Sequence, residues 1–288
     1  MRERPAVLIL LVPLVAVFSM AAFPFLWTRA DPRDCDIALG TRAPDAAHIF
    51  GTNPLGCDYY AMTVYGARPA ILVGVCTTAV VVAIGGLAGL VAGYRGGWVD
   101  AVISRVTEIF ATLPALLGVL VFLSLLRAHS ITAVVTALAL LGWPPIARIT
   151  RSAAITVRNA GYVRAARGLG ASPTRILLRH VLPDTLGPVI AVGSTGLGAY
   201  IAAEGTLSYL GVGLRPPAVS WGVMINQARE LTLTGHPYLL LFPGGFLVVT
   251  VVCLVLVGDA AGASLDPRSP SHKPTRSRYR ADASSSDA

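Results

Sequence analysis

Ala70-Ile-Leu-Val-Gly-Val-Cys-Thr-Thr-Ala-Val-Val-Val-Ala-Ile-Gly-Gly-Leu-Ala-Gly-Leu-Val-Ala-Gly-Tyr94 runs twenty-five residues without a charged side chain. An apolar helix needs about 20 residues to cross the hydrocarbon core of a bilayer. This stretch is long enough, and Arg68 and Arg95 bracket it. Similar runs lie on either side. Ala6 to Trp27 follows Arg2 and Arg4, and is too long for the apolar region of a cleavable signal peptide, about 7–15 residues. It ends in Phe23, Phe25 and Trp27, aromatics suited to a membrane interface, so it reads as a retained span. Ala101 to Leu126 is the third span, and Ile131 to Ile146 a shorter fourth that Trp143-Pro144-Pro145 should kink or end. Leu186 to about Ala203 makes a fifth span and Tyr238 to Gly258 a sixth. The sequence thus predicts an all-α, polytopic bundle of six spans.

Composition agrees. Of 288 residues, 54% are hydrophobic and 13% charged, where a soluble domain carries about 25% charged residues. The net charge of +8 sits on arginines dispersed between apolar runs, with Lys273 the one lysine. Such dispersal sets membrane orientation and does not suggest a phosphate-binding surface, so nucleic acid is not an expected partner. Sixteen of the 23 basic residues fall on the side of the N-terminus, the 95–105 turn, the 148–179 loop and the tail; seven fall on the other. Basic loops stay inside, so both termini are expected in the cytoplasm. The tail beyond residue 266 is too polar to fold alone. Three regions follow: 1–69, with the first span and an external loop; 70–266, the five-span core; and 267–288, a disordered tail. Cys35 and Cys57 share the external loop, where an oxidising compartment would allow a disulfide, although no spacing argument brings them together. Cys76 and Cys253, inside apolar runs, read as small buried hydrophobes.

Between the fourth and fifth spans the sequence reads Gly161-Tyr-Val-Arg-Ala-Ala-Arg-Gly-Leu-Gly170, then Ala-Ser-Pro-Thr-Arg-Ile-Leu-Leu-Arg-His180-Val-Leu-Pro183. Tyr162, Ala165, Ala166 and Leu169 fall at i, i+3, i+4 and i+7, one apolar stripe on a short helix. Gly170 is a helix stop where positive φ is available. Ser172 and Pro173 read as cap and first-turn residue of a second helix, and Pro183 precedes the return to the membrane. Such a helix-turn-helix could rest on headgroups through its arginines or dock into another protein; small alanines on the stripe favour close protein packing.

Here the sequence resembles a known family. Ala165-Ala166, Gly170 and Leu182-Pro183 match the loop motif of ABC-importer permeases, with Arg164 where that motif has glutamate and His180 where it prefers an aliphatic residue. Arg179 to Pro183 is similar to the ending found in the peptide branch. Gly51-Thr52, Gly56-Cys57-Asp58, Tyr65 to Arg68, Ala92 to Asp100, Glu204 to Gly213, Pro216-Pro217, Ser220 to Gly222, Phe242 to Gly244, Gly258-Asp259 and Leu265 to Arg268 follow in the order of the C-type permease of dipeptide and oligopeptide importers. The resemblance implies a type I ABC-importer permease fold and a coupling loop over 152–184. Tyr162, Arg164, Ala165, Ala166, Leu169 and Gly170 would meet an ABC ATPase subunit. A homologous B-type permease, an extracytoplasmic substrate-binding protein and a peptide substrate are the other partners it implies. ATP and Mg would sit on the ATPase; this chain would bind no cofactor.

Other residues carry less specific signals. Glu108 pairs with Arg105 at i, i+3, and Asp100 sits at the interface. Glu204 either braces the segment that follows it or faces the translocation path. Gly193 and Gly196, in a fifth span that also holds Gly187, Pro188 and Gly198, suit a moving, pore-lining helix, and Tyr209 lies in a segment, Gly205 to Pro237, that reads as partial re-entry, a lid over the pore, or packing against the partner permease. No Gly-x-x-x-x-Gly-Lys-Ser/Thr loop, HExxH or clustered Cys/His pattern occurs, so neither ATP hydrolysis nor a metal site is expected. A membrane enzyme or assembly factor is the reading from another class. Nickel, glutathione or haem are other cargoes for the same machinery.

Overall fold

A computed structural model describes residues 4–265. Within them the fold is helical and no strand forms. The elements are α1 (Arg4–Ala22), α2 (Tyr59–Arg95), α3 (Gly97–Thr112), α4 (Ala115–Leu126), α5 (Ile131–Gly142), α6 (Pro144–Arg158) and α7 (Gly161–Gly168), followed by α8 (Pro173–Ile176), α9 (Leu182–Tyr209), α10 (Trp221–Leu233) and α11 (Tyr238–Leu265). Three helical stretches, 59–95, 173–209 and 238–262, are each long and apolar enough to cross a membrane. Two bent pairs, α3 with α4 and α5 with α6, add two more apolar crossings. With α1 that makes six apolar segments, laid out as the sequence suggests. The polar tail assigned to 267–288 lies outside the described residues.

Several boundaries differ from those expected, each for a local reason. Helix α2 starts at Tyr59, because Asp58 caps it by accepting from the Ala61 N–H at 2.8 Å. The boundary drawn at 69–70 therefore falls inside a helix. The third crossing is not one rod: α3 and α4 meet at 82°. Pro114 has no N–H to donate and holds Leu113 extended, at φ −75° and ψ 131°. The bend between α5 and α6 is 45° at Trp143-Pro144, but the chain stays helical to Arg158, since proline is tolerated in a first turn. Arg148, Arg151 and Arg158 thus lie on a helix and not in a loop. Pro183 likewise fails to break the chain. Its ring displaces the carbonyl one turn back, and a π turn over Leu177–Val181 absorbs the extra residue, so α8 and α9 run on as one helix.

Close packing joins α2 to α6. Gly85, Gly89 and Gly93 recur every fourth residue on α2. A Cβ added to each would lie 2.7, 2.3 and 2.6 Å from the carbonyl oxygens of Trp143, Ala147 and Arg151. The two backbones touch directly, as small-xxx-small spacing permits. Asp100 on α3 clamps the same region, accepting from Arg151 Nε at 2.5 Å and Nη2 at 2.7 Å.

At the end of the bundle opposite α7, Cys35 and Cys57 form a disulfide. It ties the loop to the start of α2, and Tyr238 fixes the same loop to α11 by donating to the Arg42 carbonyl at 2.7 Å. Trp221, fully buried, donates to the Thr63 carbonyl at 2.8 Å, so α10 packs back on its own bundle. Cys253 is buried, but Cys76 is exposed on the outer face of α2, contrary to its reading as a core residue. Closing a 22-residue separation stabilises a chain by about 3 kcal/mol. The double variant C35S/C57S is expected to lower the thermal midpoint of the purified protein by several degrees, with added reductant reproducing the shift in the native chain.

Candidate functional site

Helix α7 is held by few contacts. Val163 is its one buried residue, seated among Leu90, Ala154, Ile176 and Val181. Tyr162 donates its hydroxyl to Asp184 Oδ2 at the start of α9, and its ring lies 6.1 Å from that of His180. That hydrogen bond, followed by partial burial, pushes the Tyr162 phenol up to about 12. It therefore remains a donor at every physiological pH. Gly170 adopts φ +85°, a conformation open to glycine, and turns the chain into Ser172, whose hydroxyl accepts from the Arg175 N–H at 3.3 Å. Tyr94 closes the base by donating to the Pro173 carbonyl at 2.7 Å.

The apolar stripe does not bury itself in this chain. Tyr162 is 50% exposed and Leu169 89% exposed; Ala165 is exposed and Ala166 half-buried. The helix sits on Val163, and the stripe looks away. Arg164, at the position of the motif glutamate, donates from Nε and Nη2 to the Asn159 carbonyl at 3.0 and 2.8 Å. It caps the end of α6, so the guanidinium fixes the angle at which α7 leaves the bundle.

The residues read as a path or gate are less open. Glu204 is fully buried. Its Oε1 accepts from Ser208 Oγ at 2.8 Å, and that same hydroxyl accepts from the Leu214 N–H at 3.0 Å. Of the two roles left open for it, the geometry is that of a brace for the segment after α9. Gly193 is buried within 3.2 Å of Val82, counted from an added Cβ. Gly196 is half-buried, and Tyr209 offers its carbonyl to Asn226 Nδ2 at 2.6 Å. These four do not share one cavity. The Arg105–Glu108 pair forms at 3.0 Å.

Three features were not read from the sequence. The glycine ladder of α2 carried a visible signal, its four-residue spacing. The Asp100–Arg151 pair and the Tyr162–Asp184 bond join residues 51 and 22 positions apart, and no local pattern announces them.

The chain is thus a multi-pass helical bundle with broken crossings and a short helix presented at one end. Residues 85–269 match the family described as binding-protein-dependent transport system inner membrane component, and the chain belongs to it. It is 37% identical over 256 residues to the dipeptide transport system permease protein DppC of Bacillus subtilis, covering 88% of this chain and 79% of that protein. It is 32% identical over 267 residues to the oligopeptide transport system permease protein OppC of the same organism, covering 93% and 87%. Among solved structures it resembles an inward-facing conformation of the MetNI methionine ABC transporter, with TM-score 0.59 and 18% identity, over 71% of this chain and 96% of that one. At that identity the likeness speaks for the fold.

Proposed function

We propose that this chain is one of two homologous permeases in an ATP-driven importer of peptides, working by alternating access. The observation that carries the reading is the largely exposed stripe Tyr162, Ala165, Ala166 and Leu169 on a helix of which its own chain buries only Val163, with the Tyr162–Asp184 and Arg164–Asn159 hydrogen bonds tying it to the bundle. It occurs in a member of a binding-protein-dependent transport family whose similar members are named for dipeptides and oligopeptides. That stripe is the docking surface for an ABC ATPase, which binds ATP and Mg. A substrate-binding protein delivers peptide at the opposite end. The α7 end faces the cytoplasm, as the excess of basic residues on that side requires, and both termini lie there with it. The oxidising side then holds the disulfide. Residues 161–183 couple the ATPase to the core of 70–266, and Glu204 with Tyr209 organises the external closure above Gly193 and Gly196. Relatives named for peptide transport favour peptide over nickel, glutathione or haem, and favour a transport subunit over an enzyme.

The test is reconstitution of this permease with its second permease, ATPases and binding protein in proteoliposomes, with uptake of a labelled di- or tripeptide measured with and without ATP. ATP-dependent peptide accumulation supports the reading; uptake of nickel or haem in its place contradicts it. Within that system the Tyr162–Asp184 bond is the side-chain link by which α7 pulls on α9. Tyr162→Phe and Asp184→Asn are each expected to reduce uptake roughly fivefold at unchanged ATPase rate, on the order of one hydrogen bond of about 1 kcal/mol. Pairing the two changes should add little, which a double-mutant cycle measures.

A further inference from the structure

A cavity of about 300 Å³ opens between α2, α3 and α6, toward the end of the bundle that carries α7. Arg148, Arg151, Ser104, Thr107 and Glu108 stand on its wall, over a floor that includes Gly89. Its charges cancel in pairs with one exception. Arg151 is committed to Asp100, and Glu108 to Arg105. Arg158, the next cation along α6, donates to the Tyr94 carbonyl at 3.0 Å. Arg148 makes no hydrogen bond or ion pair among the described residues. Arg148, an exposed residue lining the open cavity, therefore presents the one guanidinium there without a protein partner among the described residues, a fork suited to a planar monoanion.

The hydroxyls narrow the choice further. Ser104 donates to Asp100 Oδ1 at 3.2 Å and Thr107 to the Ile103 carbonyl at 2.7 Å. Their protons are taken, which leaves them as acceptors for an N–H group. An anion beside an N–H is the chemistry of a peptide's C-terminal residue. The position of the cavity argues against a lipid headgroup. Trp98, Val102 and Ile109 form the outward apolar row of α3, and Ser104 and Thr107 lie on the opposite face of that helix. Charged groups within a membrane bundle line water-filled cavities.

We infer that Arg148 is a substrate-binding residue which takes the α-carboxylate of the peptide in the cytoplasmic half of the path. The inference rests on the peptide-import reading above. A carboxylate is present on every unblocked peptide, so one guanidinium would serve cargoes of any sequence. The cavity lies at the lower end of the range for small-ligand sites, roughly 300–1,000 Å³, and takes the terminal residue, not a whole oligopeptide.

The test compares uptake of a tripeptide with uptake of its C-terminal amide by the complete importer in proteoliposomes, dividing out the binding protein's own preference, measured separately. Native protein should favour the free acid about tenfold, the value of one charge-assisted hydrogen bond. Arg148→Gln should remove that preference, and Arg148→Lys, which keeps the charge without the fork, should retain part of it. Equal loss of acid and amide uptake in Arg148→Gln, or an undiminished preference, overturns the assignment. So does a preference that tracks the anionic lipid content of the vesicles, which would identify a headgroup site. If the native importer takes up neither tripeptide nor amide, the peptide reading itself fails. If the native importer transports and Arg148→Gln leaves the preference intact, this inference alone fails.

Discussion

Ala166→Arg is expected to reduce ATP-dependent uptake by on the order of a hundredfold while the protein still inserts in the membrane in normal amount. Ala166 is half-buried on the stripe of α7, between Tyr162 and Leu169. A methyl group there lets another protein's surface approach closely. An arginine would place an unpaired charge in that interface, and a buried charge without a partner costs about 3–5 kcal/mol. The helix is seated by Val163, one turn before Ala166, but Tyr162 and Leu169 on either side of Ala166 along the stripe are exposed, which leaves a longer side chain room to turn outward. The effect should therefore appear as uncoupling, with residual ATP hydrolysis no longer accelerated by peptide-loaded binding protein. Uptake at the native rate would remove α7 from the coupling path. The measurement is peptide uptake and ATPase rate on the same proteoliposomes.

The second large effect concerns assembly. Gly89→Leu should abolish recovery of folded permease, because an added Cβ already lies 2.3 Å from the Ala147 carbonyl oxygen and 2.8 Å from Thr150 Cβ. The opposing atoms belong to backbone and to a β-branched stem, so no side chain can swing aside. Overpacking typically costs about 1–3 kcal/mol and occasionally more, and here, with backbone as the opposing surface, it would force α2 away from α6 along the whole glycine ladder. Gly86, one residue outside the ladder's face, has open space where a Cβ would go. Gly86→Leu is therefore the matched control and should fold. Monodispersity in detergent distinguishes the two, and equal recovery of both would show that the α2–α6 contact is looser than described.

Legibility in the sequence followed the range of the physics involved. Apolar run length is a local property, and it located six segments between residues 6 and 258 without the structure. Helix ends controlled by one residue were also readable: Gly170 has the positive φ expected of it, and Ser172 caps the helix it precedes. Proline was less informative than its reputation. Pro114 bends a crossing by 82°, Pro144 bends one by 45°, and Pro183 merely induces a π turn. The difference lies in what surrounds each ring, which sequence does not state. Burial of individual residues was legible only as periodicity. The stripe on α7 was correctly spaced, yet which way it faces depended on Val163 finding a pocket made by α2, α6 and the α8–α9 junction. Glu204 shows the same limit from the other side. An acidic residue in a span marks function or structure, and only the fold shows its Oε1 accepting from Ser208, whose hydroxyl in turn accepts from the Leu214 N–H.

Arg164 explains a departure from the motif. With arginine at the glutamate position, an acidic contact to a partner is replaced by a bond within the chain, to Asn159. Under the coupling role proposed for α7, docking would then rest on shape and apolar contact along the stripe more than on charge.

The most direct measurement is site-specific photocrosslinking from Leu169, the more exposed of the two large side chains of the stripe at 89%, in membranes containing the assembled importer. A single protein adduct is expected, to the ATPase subunit, with a yield that changes when ATP is trapped in the complex. Adducts to lipid alone, or labelling of position 169 by a reagent confined to the outer side of the membrane, would contradict it.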